Sequence, residues 1–247
     1  MRPTMADPRI YIEQPLKVGD VIDLPEGAAR HLLQVLRLKA GDSFLIFNGE
    51  PGEFAATLEA AGKRGARARI GPFHEANRES PLHVTLAQCV SKGERMDFAL
   101  QKAVELGATE IQPLLSKRSV VRVDEERWEK KLEHWRGVVI AACEQSGRTR
   151  VPPVNPVLTL ERWLEQTDPG LRLVLVPGAG EALRALDKPE RPVRILIGPE
   201  GGLDDDELRL AVRHGCEPIS LGPRVLRTET AGIAALAALQ ALFGDCH

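Results

Sequence analysis

Two short runs near the C-terminal end constrain the fold more than any other part of the chain: residues 195–202 (ILIGPEGG) and 220–231 (SLGPRVLRTETA). Each run contains the end of an apolar strand, a tight turn of glycine and proline, and the start of a helix. Such strands are typical of a covered parallel sheet, and glycine lets the main chain approach a ligand closely. The pattern alone leaves open whether these loops bind anything, because most loops of this type bind no ligand.

Helix signals follow both turns. Asp204 can cap a helix, and Glu207 stands three residues later in capping-box spacing. Thr228 can cap an apolar helix over about residues 229–243. No Lys-Ser or Lys-Thr pair follows the glycines, so the first turn is not a P-loop. The backbone-lined turns therefore suit a flat heteroaromatic group better than a polyphosphate.

The pattern of the 247-residue chain as a whole predicts two domains that differ in secondary structure. Residues 1–72 contain many short strands with glycine turns, including an Asn48-Gly49 hairpin signal, which indicates a small β-barrel. Residues 73–81 are polar and are predicted to be a linker. Residues 82–247 alternate strand and helix patterns, which is typical of an α/β domain with a parallel sheet.

Periodicity and capping residues place three more helices. Residues 26–36 carry alanine and leucine at helical spacing, within the β-rich part of the chain. Asp124 can cap a long helix, and Thr159 can cap a short one. The last two belong to the predicted α/β domain.

The two C-terminal runs, IGPEGG and LGPRVLRTETA, resemble the ribosomal small subunit methyltransferase E family. Six shorter segments stand in the order that the family has them, so the resemblance covers essentially the whole chain: PRIY, HLLQVLR, RESPLH, QKAVELG, ACEQSGR and the closing FGD. Members of this family are SPOUT-class enzymes that methylate N3 of a uridine in 16S ribosomal RNA. The resemblance implies a SPOUT-type parallel-sheet domain with a C-terminal deep trefoil knot at about residues 195–231, preceded by a PUA-like β-barrel that binds RNA.

The resemblance also implies S-adenosylmethionine as the cofactor. Its adenine needs an apolar slot with backbone donors and acceptors, which the two turns and the end of an earlier strand can supply. The predicted cofactor-binding residues are Val176, Pro177, Ile197, Gly198, Glu200, Gly201, Gly202, Leu221, Gly222, Val225, Leu226 and Thr230. A dinucleotide site at residues 178–180 (GAG) is disfavoured, because that motif's third glycine and its acidic residue are missing.

Uracil N3 carries a proton at neutral pH. Methyl transfer therefore requires that the proton is removed or that the resulting anion is stabilised. We expect Arg9 and Arg227 to orient the uracil or stabilise its anion, and Glu200 is a candidate base. Glu200 and Glu229 can each serve instead as the acidic partner of a helix N-terminus. The sequence leaves open whether a general base exists.

A net charge of −2 does not indicate a nucleic-acid-binding protein, so any RNA-binding surface must be a local patch. The predicted RNA-binding residues are Arg9, Arg30, Arg37, Arg118 and Arg148. Further positive charge in the first domain comes from Lys63, Arg64, Arg67 and Arg69. An ordinary solvated surface is the alternative interpretation of these side chains.

Other classes of site are disfavoured. Four cysteines are scattered without a Cys-x-x-Cys pair and six histidines lack metal spacing, so we expect neither a metal site nor a disulfide framework. No apolar run reaches the length of a membrane span and no signal-peptide core is present, which together with the resemblance predicts a cytoplasmic protein. A helix over residues 230–243 would be apolar nearly all round, so more than one of its faces must be covered. It could be fully buried within a monomer, but the resemblance to SPOUT enzymes implies a homodimer built on this helix.

Two alternative functions stay open. The chain could be an RNA-binding ribosome-assembly factor with an idle methyltransferase pocket, although its intact Gly198, Gly201, Gly202 and Gly222 favour an enzyme. It could also be an α/β enzyme that uses another nucleotide.

Overall fold

The computed structural model describes residues 7–62, 65–119, 125–167, 169–178 and 181–246. It divides into two compact units: the chain up to Glu79 together with Cys143–Val151, and Ser80–Ala142 together with the chain from Pro152 onward. No feature of the sequence marked residues 143–151 as part of the first unit. Lys63, Arg64 and the predicted cap Asp124 lie outside the described residues, as do positions 179 and 180 of the GAG segment.

The first unit is built on a five-stranded mixed sheet in the order β1-β3-β4-β5-β2. Its strands are β1 (Arg9–Tyr11), β2 (Val21–Asp23), β3 (Ser43–Phe47), β4 (Glu53–Gly62) and β5 (Gly65–His74). The Asn48-Gly49 hairpin is confirmed, since β3 and β4 pair antiparallel across it. The single helix expected over residues 26–36 is instead α1 (Glu26–Arg30) followed by a π-helical turn, His31–Val35. Leu32, Ile46, Leu58 and Ile70 meet in the apolar core that holds the sheet and this turn together.

A buried ion pair joins three segments of this unit. Arg9 Nη2 lies 2.7 Å from Glu53 Oε2, and the two side chains are 6% and 1% exposed. The guanidinium also donates to the carbonyl of Cys143 at 2.9 Å and stacks 4.8 Å from the Phe47 ring centroid. Arg9 therefore ties β1, β4 and the segment 143–151 to each other.

Two of the predicted RNA-binding residues, Arg9 and Arg148, need correction because they are buried in ion pairs. Arg9 is enclosed and fully engaged, so it presents no donor to a phosphate or a uracil at the surface of this unit. Arg148 is also buried, with a side chain 4% exposed, and its Nε donates to Glu79 Oε2 at 3.0 Å. A buried cation is stable only when it is paired and hydrogen-bonded, which both arginines are. Their role in this structure is to hold the first unit together.

The second unit carries a seven-stranded, all-parallel sheet in the order β10-β12-β9-β11-β6-β7-β8. Its strands are β6 (Val84–Cys89), β7 (Glu110–Leu115), β8 (Leu158–Thr159), β9 (Leu171–Leu175), β10 (Glu181–Ala182), β11 (Val193–Ile197) and β12 (Cys216–Ser220). Its helices are α2 (Glu94–Glu105), α3 (Glu125–Ser146, whose last turn lies in the first unit), α4 (Leu160–Leu164), α5 (Asp205–Arg213) and α6 (Thr228–Phe243). The predicted parallel-sheet α/β architecture after a small β-rich domain is confirmed; the trefoil knot stays a prediction.

The central strands of this sheet are covered on both faces. In β11, Ile195 and Ile197 pack into one core layer with Leu236 of α6, whereas Leu196 points into the opposite layer with Trp163 of α4. Alternating side chains thus serve two cores, which is why four of the five residues of this strand are apolar, Arg194 being the exception. Covered strands of this kind can present only their ends to a ligand.

Two predicted caps are confirmed and one is wrong. Asp204 and Glu207 form the complete capping box of α5. Thr159 accepts a hydrogen bond from the Arg162 amide at the start of α4. Thr228 does not cap α6: Arg227 holds that position without a side-chain bond, and Thr228 is the first helical residue. Its hydroxyl donates elsewhere, to the carbonyl of Gly198 at 2.6 Å.

The cysteines and the helices add two observations. Burial raises the pKa of the Cys89 and Cys143 thiols to about 12, so both are protonated, unreactive groups at neutral pH. Cys246, by contrast, is exposed. No helix in the described ranges is long and apolar enough to cross a bilayer.

We predict that Glu53→Gln lowers the free energy of unfolding of the first unit by about 3 kcal/mol, because it leaves Arg9 buried without its counter-charge. Native-state hydrogen exchange of the β1, β3 and β4 amides measures this directly. The matched control is Glu59→Gln, which removes the partly exposed partner of the exposed Arg69 in the same sheet and should cost less than about 1 kcal/mol. Equal effects of the two variants would contradict a central role for the buried pair.

Candidate active site

Three neighbouring strands of the second unit end at the same edge of the sheet. β12, β9 and β11 are adjacent and parallel, so the segments that follow them meet although they are distant in sequence. These segments enclose a cavity of about 270 Å³. Ligands of open parallel sheets bind at this position, beyond the carboxyl ends of the strands.

Most of the residues predicted for the cofactor line this cavity. They are Val176, Pro177, Ile197, Gly198, Glu200, Gly202, Leu221, Gly222, Val225 and Leu226, and the predicted catalytic residue Arg227 joins them. Gly201 and Thr230 do not line it. The carbonyl of Gly201 instead accepts a hydrogen bond from Arg118 Nη1 at 2.9 Å, and Thr230 is an exposed residue of the first turn of α6.

Two of the main-chain turns at the cavity depend on glycine. Gly222 has φ +95° and Gly202 has φ +68°, a region that other residues occupy only at a cost. A Cβ at Gly202 would meet no atom within 4 Å, and one at Gly222 would meet only Arg224 Nη2, at 3.9 Å. Backbone conformation, and not local crowding, therefore explains these two glycines.

The cavity residues that were missing from the predicted cofactor set include Arg95, Thr228 and Glu229. Thr228 connects the site to the sheet, because its hydroxyl accepts from Gln88 Nε2 at 2.9 Å while it donates to Gly198. Arg95 comes from the start of α2, after β6. The sequence shows that β6 is a strand but not that it lies beside β11, so nothing in the sequence placed Arg95 here.

Glu200 is held by hydrogen bonds on the rim of the cavity. Its Oε1 accepts from the Lys92 amide at 3.1 Å and from Arg95 Nη1 at 3.3 Å. Partial burial raises the pKa of this carboxyl, but the backbone amides of Glu200 and Lys92 and the Arg95 guanidinium outweigh it, so the pKa lies below its usual value. The carboxylate is therefore ionised at neutral pH.

Positive charge surrounds the cavity mouth. Arg224 and Arg227 are exposed lining residues, and within the described part of the chain neither forms an ion pair. Arg118 is exposed beside the 198–202 turn, where its bond to Gly201 holds it. Guanidinium groups that have no carboxylate partner can donate to an anionic ligand without first breaking an ion pair. Across the described ranges, no group of three His, Cys, Asp or Glu side chains could hold a metal ion.

Known proteins match both units. Residues 78–240 match the RNA methyltransferase domain family, and residues 24–71 match the RNA methyltransferase PUA domain family. The chain is thus an RNA methyltransferase with a PUA domain.

Whole-length relatives narrow this class. Ribosomal RNA small subunit methyltransferase E of Buchnera aphidicola subsp. Schizaphis graminum is 38% identical over 96% of this chain and 97% of its own length. The enzyme of the same name from Neisseria gonorrhoeae, solved with S-adenosylmethionine, superposes with a TM-score of 0.91 at 40% identity, covering 98% of this chain and 100% of its own. A methyltransferase from Legionella pneumophila, solved with the same cofactor, has a TM-score of 0.94 at 42% identity and covers 97% and 99%. The chain belongs to the ribosomal RNA small subunit methyltransferase E family.

We expect Gly222→Val to weaken binding of S-adenosylmethionine, the cofactor held by the two solved relatives, by about tenfold or more. A β-branched residue at this φ costs about 1–3 kcal/mol of backbone strain or shifts the turn out of place. Isothermal titration calorimetry gives the Kd. The control is Gly41→Val, which imposes the same change at φ +97° in the first unit. An unchanged Kd for Gly222→Val would remove this turn from the cofactor site.

Proposed function

We propose that this protein transfers the methyl group of S-adenosylmethionine to N3 of a specific uridine in 16S ribosomal RNA of the small ribosomal subunit. The observation that carries the proposal is the cavity at the carboxyl ends of β9, β11 and β12, with unpaired guanidinium groups at its mouth. Membership of a family whose solved member holds S-adenosylmethionine supports the choice of cofactor. Work on ribosomal RNA implies a cytoplasmic protein.

In this proposal the cavity holds the cofactor through main-chain contacts. The adenine lies between the apolar side chains of Leu221 and Leu226 and the glycine turn at residues 198–202, whose main chain borders the cavity. Val176 and Pro177 close the other side. The sulfonium then faces the mouth of the cavity, toward Arg227.

The chemistry requires an N3 atom that carries an electron pair. N3 loses its proton, attacks the methyl carbon, and the sulfonium leaves as a neutral thioether. The charge of the deprotonated ring is shared between N3 and the two carbonyl oxygens, so a guanidinium that donates to either oxygen stabilises it. Arg227, exposed at the start of α6 and unpaired in the described structure, is proposed for this role.

The first unit is proposed as the RNA-binding module. Arg30 and Arg37 are both exposed, at the end of α1 and just after the π-helical turn. Arg37 has φ +58°, which makes it the one non-glycine residue with positive φ among the described positions. A left-handed arginine costs about 1–2 kcal/mol where glycine would cost little. An exposed side chain retained at that cost fits a functional contact better than a neutral position.

We therefore predict that Arg37→Gly separates binding from stability. Its free energy of unfolding should stay level or rise, while its affinity for small-subunit RNA falls and the slope of log K against log salt decreases by about 1. Arg30→Ala should weaken RNA binding in the same way, and cofactor affinity should not change in either variant. The control Lys17→Ala removes one exposed charge from the same unit. Full RNA affinity in both arginine variants would rule out this surface.

A homodimer through α6 is the second part of the proposal. One side of α6 packs on the sheet through Ala231, Ala235, Leu236 and Leu239. Another side remains apolar and partly exposed, with Ile233, Ala234, Ala237 and Ala241 at helical spacing. Small residues there would let two copies of the helix approach closely. Because the N-terminal end of α6 borders the cavity, such an interface would lie next to the cofactor.

We predict that Ala237→Glu dissociates this dimer, because a carboxylate buried without a partner costs several kcal/mol. The neighbouring Ala238 is less suitable for this test, because it packs against the core of its own unit. Sedimentation velocity at micromolar concentration should find a dimer for the unmutated protein and for the exposed control Ala185→Glu, and a monomer for Ala237→Glu. An active, monomeric unmutated protein would contradict the proposal.

Mass-spectrometric mapping of methylated bases tests the reaction itself. 16S ribosomal RNA from cells that lack the gene should be missing one N3-methyluridine, and the purified protein with S-adenosylmethionine should restore it. An unchanged set of methylated bases would favour an RNA-binding assembly factor with an idle pocket. Comparing free RNA with assembled small subunits as acceptors would show which form is the substrate.

A further inference from the structure

We propose that Arg95 is a catalytic residue of this site, and that Glu200 acts as its positioning partner and not as a general base. The inference rests on the proposed function, because it assigns roles in methyl transfer to N3 of a uridine. Neither α2 nor the turn before it entered the site predicted from sequence. The geometry of that turn, of the 198–202 turn and of the cavity carries the assignment.

Arg95 reaches the cavity from the segment that follows β6, whereas most of the other lining residues lie at or after the ends of β9, β11 and β12. β6 lies beside β11 in the sheet, with Gln88 in register with Ile197, so the segment after Cys89 emerges next to the 198–202 turn. Arg95 lines the cavity, and its side chain is 47% exposed. Its Nη1 is bound to Glu200, and within the described part of the chain its other guanidinium N–H groups have no partner. Arg95 can therefore donate to a ligand without breaking its existing bond.

The main chain is shaped to hold this pair. Gly93, the residue before α2, has φ +57° and ψ −141°, a combination that is essentially restricted to glycine. A Cβ there would touch nothing, so conformation alone accounts for the glycine. This conformation aims the Lys92 amide at Glu200 Oε1 and starts α2 so that Arg95 meets the same oxygen. One carboxylate oxygen thus receives a main-chain donor and a side-chain donor from a single turn.

These contacts are unsuited to a general base. A base needs an affinity for the proton, whereas the two hydrogen bonds that Glu200 Oε1 accepts stabilise the ionised carboxylate and lower that affinity. The cations Lys92, Arg95, Arg224 and Arg227 and the carboxylates Glu94 and Glu229 stand on the segments around it, and Arg118 lies on the far side of the glycine turn. Of these groups, Arg95 lies close enough to favour the ionised form of Glu200, together with the Lys92 amide.

The chemistry assigned to Arg95 follows from its free donors. When N3 loses its proton to solvent, the negative charge spreads over N3 and the two carbonyl oxygens of the ring. Arg95 donates to one of these oxygens and Arg227 can donate to the other, so the anion is stabilised at the moment when N3 attacks the methyl carbon. Glu200 restricts the Arg95 side chain and keeps its remaining N–H groups directed at the cavity.

Isosteric substitutions separate the two roles of Glu200. An amide oxygen can accept the hydrogen bonds from Arg95 and Lys92 but cannot take a proton at neutral pH. If Glu200 positions Arg95, Glu200→Gln loses about fivefold in the single-turnover rate and Glu200→Ala loses about fiftyfold or more. If Glu200 is a base, both variants lose the same factor, about 10²–10⁴. Glu94→Gln, which removes an exposed charge from the same helix start, is the matched control.

The Arg95 variants and the pH profile complete the test. Arg95→Ala should lower the rate about 10²-fold or more at saturating cofactor, Arg95→Lys should recover part of it, and the Kd for S-adenosylmethionine should change little. The rate should rise with pH in the same way for the unmutated protein and for Glu200→Gln. Full activity of Arg95→Ala, or an acidic limb of the profile that disappears in Glu200→Gln, would overturn the inference. If Arg95→Ala does not fold, the comparison of Glu200→Gln with Glu200→Ala and the activity of Arg95→Lys still test the inference. Failure of the unmutated protein to methylate uridine N3 would instead refute the proposed function.

Discussion

The site depends on the parallel alignment of three strands, each of which contributes side chains to two apolar cores. Because β12, β9 and β11 run in the same direction and lie side by side, their carboxyl ends form one edge of the sheet. The register is enforced by two apolar cores, since a slip of one residue would move every side chain of a strand into the opposite layer. The turns therefore have fixed positions, and the backbone conformations of their glycines shape a ligand cavity.

Much of this arrangement could be predicted because its signals are local. Gly/Pro turns after apolar runs predicted where strands end, and the Asp204–Glu207 capping box was evident from spacing alone. What the sequence could not supply was strand order, since adjacency in a sheet is decided by packing between distant segments. Arg95 was missed for that reason, and Thr228 was misjudged because its hydroxyl binds the Gly198 carbonyl 30 residues away rather than its own helix.

The arginines illustrate the same limit. Residue type indicates positive charge but not whether a carboxylate stands opposite in the fold. Arg9 meets Glu53, which is 44 residues away, and Arg148 meets Glu79, which is 69 residues away, so both became structural ion pairs. Among the described residues Arg37 has no such partner, and it keeps its exposed position in an unfavourable backbone conformation. Exposure and pairing, and not composition, distinguish the arginines proposed to bind RNA from those that hold the first unit together.

A crystal structure of this chain with S-adenosylmethionine tests the central claim most directly. The claim predicts the adenine beyond the carboxyl ends of β9, β11 and β12, hydrogen-bonded to main-chain groups of residues 198–202 and 221–226, with the sulfonium methyl directed at Arg95 and Arg227. A cofactor bound elsewhere on the chain, or held mainly by charged side chains, would contradict it.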